Sequence, residues 1–205
     1  MISKKKSRNN IERKYTDLAM RIFRKFYPKE CQKSTYKINF QKYYDMGYRG
    51  ILFDVDNTLV PHGAPAEKRT EELFEQLRQI GFQTCLISNN KEYRVKPFAE
   101  RVKSNYIENA HKPSRKSYEK AFSIMGTQKG NTMFVGDQIF TDVFGANRVG
   151  MYTILVNPIH PKEEIQIVLK RYLEKIVLWT YRRDKKYGEQ RKYGEQKKSS
   201  SDRTK

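Results

Sequence analysis

Residues 51–60, which read I-L-F-D-V-D-N-T-L-V, constrain the fold of this chain more than any other stretch. The run begins with three apolar residues between turn-forming residues, a pattern typical of a strand that is buried on both faces of a sheet. This strand ends in Asp54 and Asp56, and side chains two apart on a strand project to the same side. Ligands bind at the carboxyl ends of strands in open α/β sheets. We therefore expect both carboxylates at a ligand site.

Two adjacent carboxylates repel each other and resist double ionisation unless a cation lies between them. An oxygen-rich site of this kind suits Mg²⁺, which takes one or two carboxylates and leaves its other positions to water and substrate phosphate. The ten residues alone also fit an Asp-rich turn, because Asp and Asn favour turns through local hydrogen bonds. The rest of the chain decides between a metal site and a turn.

The charge of the chain lies largely in its two ends. The 205 residues include 42 Lys and Arg against 23 Asp and Glu, a formal charge of +19. Residues 1–14 carry +5 and residues 182–205 carry +6, which leaves +8 on residues 15–181. A positive balance favours anionic partners, and nucleic acid, an acidic membrane surface and phosphorylated substrates all remain open.

Cysteine usage and hydropathy predict a cytoplasmic location. Cys31 and Cys85 lie in unrelated contexts, so we expect neither a disulfide framework nor a zinc site. The charged start is not followed by an apolar stretch, which predicts no signal peptide. No run of about 18 apolar residues occurs, so we expect no membrane-spanning helix.

The sequence divides into four segments. Residues 1–10 are predicted to be disordered, and residues 11–48 to form a basic amphipathic helix (11–26) with an aromatic-rich connector. Residues 49–181 are predicted to form the folded domain, and residues 182–205 a disordered basic tail that repeats K-Y-G-E-Q. The apolar face of the first helix either packs on the domain or lies on an anionic bilayer. Aromatic residues of the tail suggest stacking on single-stranded nucleic acid as a further alternative.

Strands and helices alternate along residues 49–181, which predicts one α/β domain with a parallel sheet of five strands. The predicted strands are 51–53, 82–87, 106–107, 132–135 and 152–156. The predicted helices are 67–80, 92–102, 114–125, 141–149 and 163–182.

Polar residues follow four of these segments, at the edge of the sheet where a site should lie. They are Asp54 and Asp56, then Ser88 and Asn89, then Lys112, and finally Asp137 and Asp142. Each has an ordinary structural explanation when taken singly, as a helix cap, a solvated charge or a surface residue. Their joint occurrence in this order at strand ends favours a catalytic site for phosphate chemistry.

Four strings carry a resemblance to a known family: D-V-D-N-T (54–58), I-S-N-N (87–90), H-K-P (111–113) and G-D-Q-I-F-T-D (136–142). They resemble the motifs of the haloacid-dehalogenase (HAD) superfamily of aspartate-nucleophile phosphatases. With F-Y-P, G-A-N-R-x-G and T-I-L-V, residues 25–180 resemble the YqeG-type branch of subfamily IIIA. That branch is similar to phosphatidylglycerophosphate phosphatases of fungal mitochondria and plants. The resemblance implies a HAD-like (Rossmannoid) three-layer sandwich.

The resemblance also implies roles for the polar residues. Asp54 is implied as the nucleophile and a Mg²⁺ ligand, and Asp56 as general acid and base with its backbone carbonyl on the metal. Ser88, the Asn89 N–H and Lys112 are implied to hold the phosphoryl group, and Lys112 is also implied to neutralise Asp54. Asp137 is implied as a metal ligand. Asp142 is implied to hold Lys112 and the groups that surround the metal ligands in place.

The spacing of the motifs bears on the size of the substrate. Only 31 residues separate Asp56 from Ser88 and 23 separate Ser88 from Lys112, so neither interval has room for a cap domain. An open site suits a bulky substrate. Together with this open site, the family resemblance implies a Mg²⁺-dependent phosphatase that makes phosphatidylglycerol, peripheral on the inner face of the membrane. The alternatives are a phosphatase for nucleic-acid ends or a phosphoprotein, and a basic RNA- or ribosome-binding module. The oligomeric state does not follow from the sequence.

Overall fold

The computed structural model describes Leu18, residues 22–160 and residues 173–186. These residues belong to two compact units. The larger unit begins at Pro28, upstream of the predicted domain boundary at residue 49, and its described part ends at residue 160. The smaller unit includes Leu18, residues 22–27 and residues 173–186.

The larger unit is built on one parallel sheet of six strands in the order β1-β6-β5-β2-β3-β4. The strands are β1 (Glu30–Gln32), β2 (Gly50–Phe53), β3 (Gln83–Ile87), β4 (Asn105–Ile107), β5 (Thr132–Gly136) and β6 (Tyr152–Val156). The predicted α/β class is confirmed, and the five predicted strands are all present. The predicted strand count was wrong by one, because β1 was not recognised.

Strand β1 lies in the segment that was predicted to be a connector without periodicity. It pairs with β6 at the edge of the sheet, with Glu30 opposite Ile154. A 3₁₀ turn (Thr35–Lys37) and helix α1 (Phe40–Asp45) follow. The buried Tyr43 of α1 donates a 2.6 Å hydrogen bond to Glu30 Oε2. Both elements are too short to show a hydrophobic period, so contacts with the rest of the unit determine their structure.

Helices cover both faces of the sheet. They are α1, α2 (Lys68–Ile80), α3 (Glu92–Val102), α4 (Arg115–Met125) and α5 (Phe144–Arg148). The first three pack with Ile51 and Phe53 in one apolar cluster, whereas α4 and α5 pack with Leu52 in another. Neighbouring residues of β2 thus point to opposite faces, as strand geometry requires. All four residues of β2 are buried, which places its carboxyl end in the middle of a three-layer α/β sandwich.

The segment after β5 differs from its prediction. A single helix was predicted over residues 141–149, but a π-helical turn (Ile139–Val143) precedes the short helix α5. Such turns are frequent at functional sites. This one carries Asp142.

The smaller unit contains parts of both predicted terminal helices. Residues 173–186 are helical, so this helix continues four residues past its predicted end at residue 182, into the segment predicted to be a disordered tail. Arg24 Nε lies 3.2 Å from Asp184 Oδ2, and the rings of Tyr27 and Tyr181 meet edge to face at 5.4 Å. Of the predicted helix 11–26, only Leu18 and residues 22–26 are described. The predicted disorder of residues 1–10 and most of the K-Y-G-E-Q repeat lie outside the described residues.

Candidate active site

The buried Asp54 follows β2 directly, in the middle of the sheet. Its backbone N–H donates a 3.0 Å hydrogen bond to the Val135 carbonyl of β5, which holds the residue between two strand ends. Its carboxylate is 2.5 Å from Lys112 Nζ. The side chains of Asp54 and Lys112 are 8% and 5% exposed, so this ion pair is almost fully removed from water.

Lys112 also contacts Asp142, and its ammonium therefore bridges two carboxylates. The Lys112 Nζ to Asp142 Oδ1 distance is 2.7 Å. The Lys112 backbone N–H donates a 2.7 Å hydrogen bond to Asn89 Oδ1, and the Ala110 N–H donates one to the Ser88 carbonyl. The segment after β4 thus lies against the segment after β3, and this packing brings Lys112 to the end of β2.

Asp142 is positioned by the π-helical turn and by a glycine. Its Oδ2 accepts a 3.0 Å hydrogen bond from the Gln138 backbone N–H. A Cβ atom at Gly136 would lie 2.6 Å from Asp142 Oδ2, closer than real Cβ atoms approach other atoms. Glycine is therefore needed at the end of β5 to admit the buried Asp142 carboxylate.

Three carboxylates meet at this point. One oxygen from each of Asp54, Asp137 and Asp142 lies within 4.8 Å of the others, and all three residues are buried. The Thr58 hydroxyl lies 3.2 Å from Asp137 Oδ1 and 3.5 Å from Asp54 Oδ2, so it joins two of the three. The structure thus brings Asp54, Asp137 and Asp142 together, with Lys112 in contact with Asp54 and Asp142. The sequence had led us to expect Asp54, Asp56 and Asp137 to converge with Lys112, and Asp142 to anchor Lys112.

The acidic group carries more negative charge than Lys112 can balance. Burial raises the pKa of the Asp54 carboxyl well above its ordinary value; the Lys112 ammonium opposes this rise, and Asp142 and Asp137 add to it. Burial alone would lower the pKa of Lys112, but Asp142 and Asp54 outweigh it and the pKa is raised. Lys112 therefore stays protonated, and its single ammonium contacts two members of a group of three acids.

This donor set fits a hard divalent cation. Carboxylate oxygens are the ligands that such ions prefer, and a second positive charge would offset the repulsion among the three acids. Asp54 and Asp137 are suited to hold the ion. Both oxygens of Asp142 accept hydrogen bonds, from Lys112 and from the Gln138 N–H, whereas Lys112 occupies only one oxygen of Asp54.

Asp56 does not join this group, although its side chain was predicted to meet that of Asp54. Its Oδ1 accepts hydrogen bonds from the Gly63 N–H (2.8 Å) and from Arg94 Nη2 (3.2 Å). Its Oδ2 lies 2.5 Å from Asn90 Nδ2. The alternation of a strand did not apply, because β2 ends at Phe53 and Asp56 belongs to a tight loop bridged to Val60.

The predicted phosphate-binding residues lie beside this loop. Ser88 is buried, and its Oγ accepts a 3.1 Å hydrogen bond from the Asn90 backbone N–H. Asn89 uses its side chain to hold Lys112, as described above. Both residues therefore organise the strand end next to Asp54.

Sequence reasoning missed three residues that hold the site together: Thr58, Asn90 and Arg94. Arg94 lies in the first turn of α3 and also donates a 2.7 Å hydrogen bond to the Ala64 carbonyl, so it ties Asp56 to the loop after β2. Asn90 precedes the extended residue that begins α3, so no helical spacing links it to Arg94, and the pair gives no usable signal in the sequence.

Comparison with known proteins identifies the family of this chain. A family model described as HAD-hydrolase-like matches residues 109–165, which include Lys112, Asp137 and Asp142. The chain is 36% identical over 159 residues to the probable phosphatase YqeG of Bacillus subtilis, covering 77% of this chain and 92% of that protein. The chain therefore belongs to the HAD-type hydrolases, in the family of YqeG, and is a phosphatase of this class.

Two further similarities are more distant. The chain is 27% identical over 149 residues to phosphatidylglycerophosphate phosphatase 1 of Arabidopsis thaliana, covering 63% of this chain and 43% of that protein. Among solved structures, deoxy-D-mannose-octulosonate 8-phosphate phosphatase of Haemophilus influenzae superposes with a TM-score of 0.45 at 11% identity, covering 66% of this chain and 90% of that one.

No helix in the described part of the chain is long and apolar enough to cross a membrane.

Proposed function

We propose that this phosphatase is Mg²⁺-dependent, hydrolyses phosphomonoesters through an aspartyl phosphate on Asp54, and acts on phosphatidylglycerophosphate to give phosphatidylglycerol. The observation that carries the chemical part is the buried Asp54 carboxylate, held by Lys112 in a group of three acids. A carboxylate nucleophile divides the hydrolysis into two easier steps.

In the first step, an Asp54 oxygen forms a bond to phosphorus as the ester P–O bond breaks. The departing alkoxide takes a proton from the Asp56 carboxyl group and leaves as the alcohol. In the second step, water attacks the phosphorus of the aspartyl phosphate and Asp56 takes the proton of that water. Inorganic phosphate departs and the Asp54 carboxylate is restored, so atoms and protons balance over the cycle.

The surrounding groups supply positive charge and orientation, which phosphoryl transfer mostly requires. Lys112 places its ammonium on Asp54 and would offset charge on the transferred oxygens. Ser88 and the Asn89 N–H lie at the adjacent strand end, where they would hold a phosphoryl oxygen. When bound by Asp54, Asp137 and the Asp56 carbonyl, Mg²⁺ would supply Lewis-acid stabilisation of phosphoryl charge.

Two observations support a lipid substrate. One is the similarity to the Arabidopsis phosphatidylglycerophosphate phosphatase. The other is an open site: between β2 and β3 the described chain contains only the loop of residues 54–67 and α2, and between β3 and β4 only a short loop and α3. A bulky headgroup in a bilayer or micelle would therefore reach Asp54 without displacing an inserted domain.

The test compares phosphate release from phosphatidylglycerophosphate in detergent micelles, from p-nitrophenyl phosphate and from a 5′-phosphorylated oligonucleotide, each with Mg²⁺ or with a chelator. We expect the lipid to be preferred by kcat/KM, and turnover to be lost with the chelator and in Asp54→Asn. Asp45→Asn changes an exposed aspartate and should retain full activity. A preference for the oligonucleotide would overturn the lipid assignment, and normal activity of Asp54→Asn would overturn the nucleophile.

A further inference from the structure

The helix of residues 173–186 in the smaller unit has one buried face and one exposed apolar face. The buried face includes Glu174, Val177 and Thr180. On another side of the same helix, Leu173, Ile176 and Trp179 are 51%, 51% and 56% exposed. These three residues, spaced three apart, form a continuous line that we call the exposed stripe.

A helix that packs through one face is expected to be polar on the other. The exposed stripe breaks this expectation with three large apolar side chains within three turns. Leu18 and Ile22, in the N-terminal part of the same unit, are also about half exposed, at 52% and 53%. A line of exposed apolar residues such as the exposed stripe marks an interaction surface, whereas single ones need no explanation.

The charge around the stripe indicates the kind of partner. Residues 173–186 include five Lys and Arg against two Asp and Glu. Lys175, Arg182 and Lys186 are exposed, and the Arg183 guanidinium lies 5.1 Å from the centre of the Trp179 ring. A second copy of this chain would bring the same excess of basic residues to this surface, so self-association is disfavoured.

We propose that the exposed stripe is a docking surface for an anionic lipid bilayer. Leu173, Ile176 and Trp179 would enter the headgroup region, and the neighbouring lysines and arginines would contact acidic lipid headgroups. Interfacial helices combine these features: apolar and tryptophan side chains on one side and Lys or Arg beside them. Each basic residue near an anionic surface strengthens such binding, and salt weakens it. The proposed docking does not depend on which phosphomonoester the active site takes.

Trp179 reports on this surface directly, because it is the single tryptophan of the chain. The full-length protein is titrated with vesicles of phosphatidylcholine alone or mixed with phosphatidylglycerol, and tryptophan fluorescence and co-sedimentation are recorded. We expect a blue shift and quenching by brominated acyl chains with the anionic vesicles, weakening as salt is raised. With neutral vesicles we expect at least tenfold weaker binding, since several basic residues contribute.

Two isoleucines provide a matched pair of variants. Ile176→Gln should weaken binding to anionic vesicles by about tenfold, because it removes one apolar side chain from the interface. Ile124→Gln changes an isoleucine that is 40% exposed on α4, in the larger unit, and should leave binding unchanged. Leu173→Gln repeats the test at a second position of the stripe, and activity on p-nitrophenyl phosphate checks that each variant is folded.

Three results would overturn the proposal. The first is co-sedimentation without a change in Trp179 fluorescence, which would assign binding to another basic part of the chain. The second is equal loss of binding in the Ile124 and Ile176 variants. The third is an equal fluorescence shift with an RNA oligomer, which would make the surface a nucleic-acid site.

Discussion

The chemistry of the site rests on a charge imbalance between individual residues. Asp54, Asp137 and Asp142 form one buried group, and a single ammonium, that of Lys112, contacts two of them. This arrangement destabilises the metal-free protein, because unbalanced buried charge opposes folding. We therefore expect Asp54 to be required for catalysis and, at the same time, to lower the free energy of unfolding of the metal-free protein.

Replacing Asp54 by Asn should stabilise the metal-free protein while abolishing turnover. The raised pKa of Asp54 means that the folded state binds a proton more tightly than the unfolded chain does. Wild-type stability should therefore fall as pH rises above the ordinary aspartate pKa toward the folded value, and this fall should be smaller in Asp54→Asn. We expect a gain of about 1 kcal/mol at pH 7 in urea unfolding with a chelator. A less stable variant, or an unchanged pH slope, would contradict the charge imbalance.

Lys112→Met should have the opposite effect on stability. It leaves Asp54 and Asp142 without their shared cation, which costs roughly 3 kcal/mol for a buried pair. Adding Asp142→Asn to Lys112→Met should recover part of this loss, because one of the uncompensated carboxylates is removed. Lys116→Met, at an exposed position of α4, is the control. Additive effects of the two substitutions in chemical denaturation would argue against direct coupling.

Arg94 is expected to act on catalysis through Asp56. Arg94→Gln weakens one of the bonds that orient the Asp56 carboxylate. Proton donation matters most for poor leaving groups, so turnover of an alkyl phosphate should fall by about tenfold to a hundredfold. Turnover of p-nitrophenyl phosphate should fall far less, because its leaving group needs no proton.

The comparison for Arg94 is Arg101→Gln, which breaks an exposed ion pair with Glu71. Arg101→Gln should change neither the turnover of the alkyl phosphate nor that of p-nitrophenyl phosphate. An equal loss on both esters in Arg94→Gln would indicate a general structural defect instead of altered proton transfer by Asp56.

At the scale of secondary-structure elements, contacts between elements hold the β1 edge of the sheet. The sequence of any one element does not predict these contacts. Strand β1 and helix α1 are joined by Glu30, which accepts hydrogen bonds from Tyr43 (2.6 Å) and Tyr152 (3.2 Å). Burial alone would raise the pKa of Glu30, but the bonds from Tyr43, Gln32 and Tyr152 together lower it. The ionised form of Glu30 therefore stabilises the fold.

Tyr43→Phe should destabilise the protein by about 1 kcal/mol at pH 7, the usual size of a hydrogen bond to a charged group after solvent screening. Because the pKa of Glu30 is lowered in the fold, its contribution is present above the unfolded pKa and is lost as pH falls through the folded value. The effect of Tyr43→Phe should thus shrink at acidic pH. Tyr93→Phe, at a tyrosine that is 79% exposed, should have no effect at either pH. A loss that is independent of pH would assign the role of Tyr43 to packing.

The burial of each element explains which strands and helices could be predicted from the sequence and which could not. Strands β2, β3, β5 and β6 were recognisable as apolar runs because both faces of each are buried. Strand β1 has three residues and none is buried, so it offers no such run. The π-helical turn was taken for the start of a helix, since its local pattern does not distinguish the two.

For the molecule as a whole, topology brings the site together. Asp54, Lys112 and Asp137 are far apart in sequence but follow adjacent or nearby strands of one parallel sheet. Their convergence was predictable because carboxyl ends of parallel strands meet at one edge. The separation of Asp56 from the acidic group was not, because it depends on where β2 ends and on hydrogen bonds from Asn90 and Arg94 on another segment.

The most direct test of the central claim is to locate the phosphorylated residue. The protein is mixed with substrate and Mg²⁺, quenched in acid and reduced with borohydride, which converts a phosphorylated aspartate to homoserine. We predict homoserine at position 54 by peptide mass spectrometry, dependent on substrate and absent from Asp54→Asn. Homoserine at another aspartate, or turnover without any modified aspartate, would contradict the assignment of Asp54 as the nucleophile.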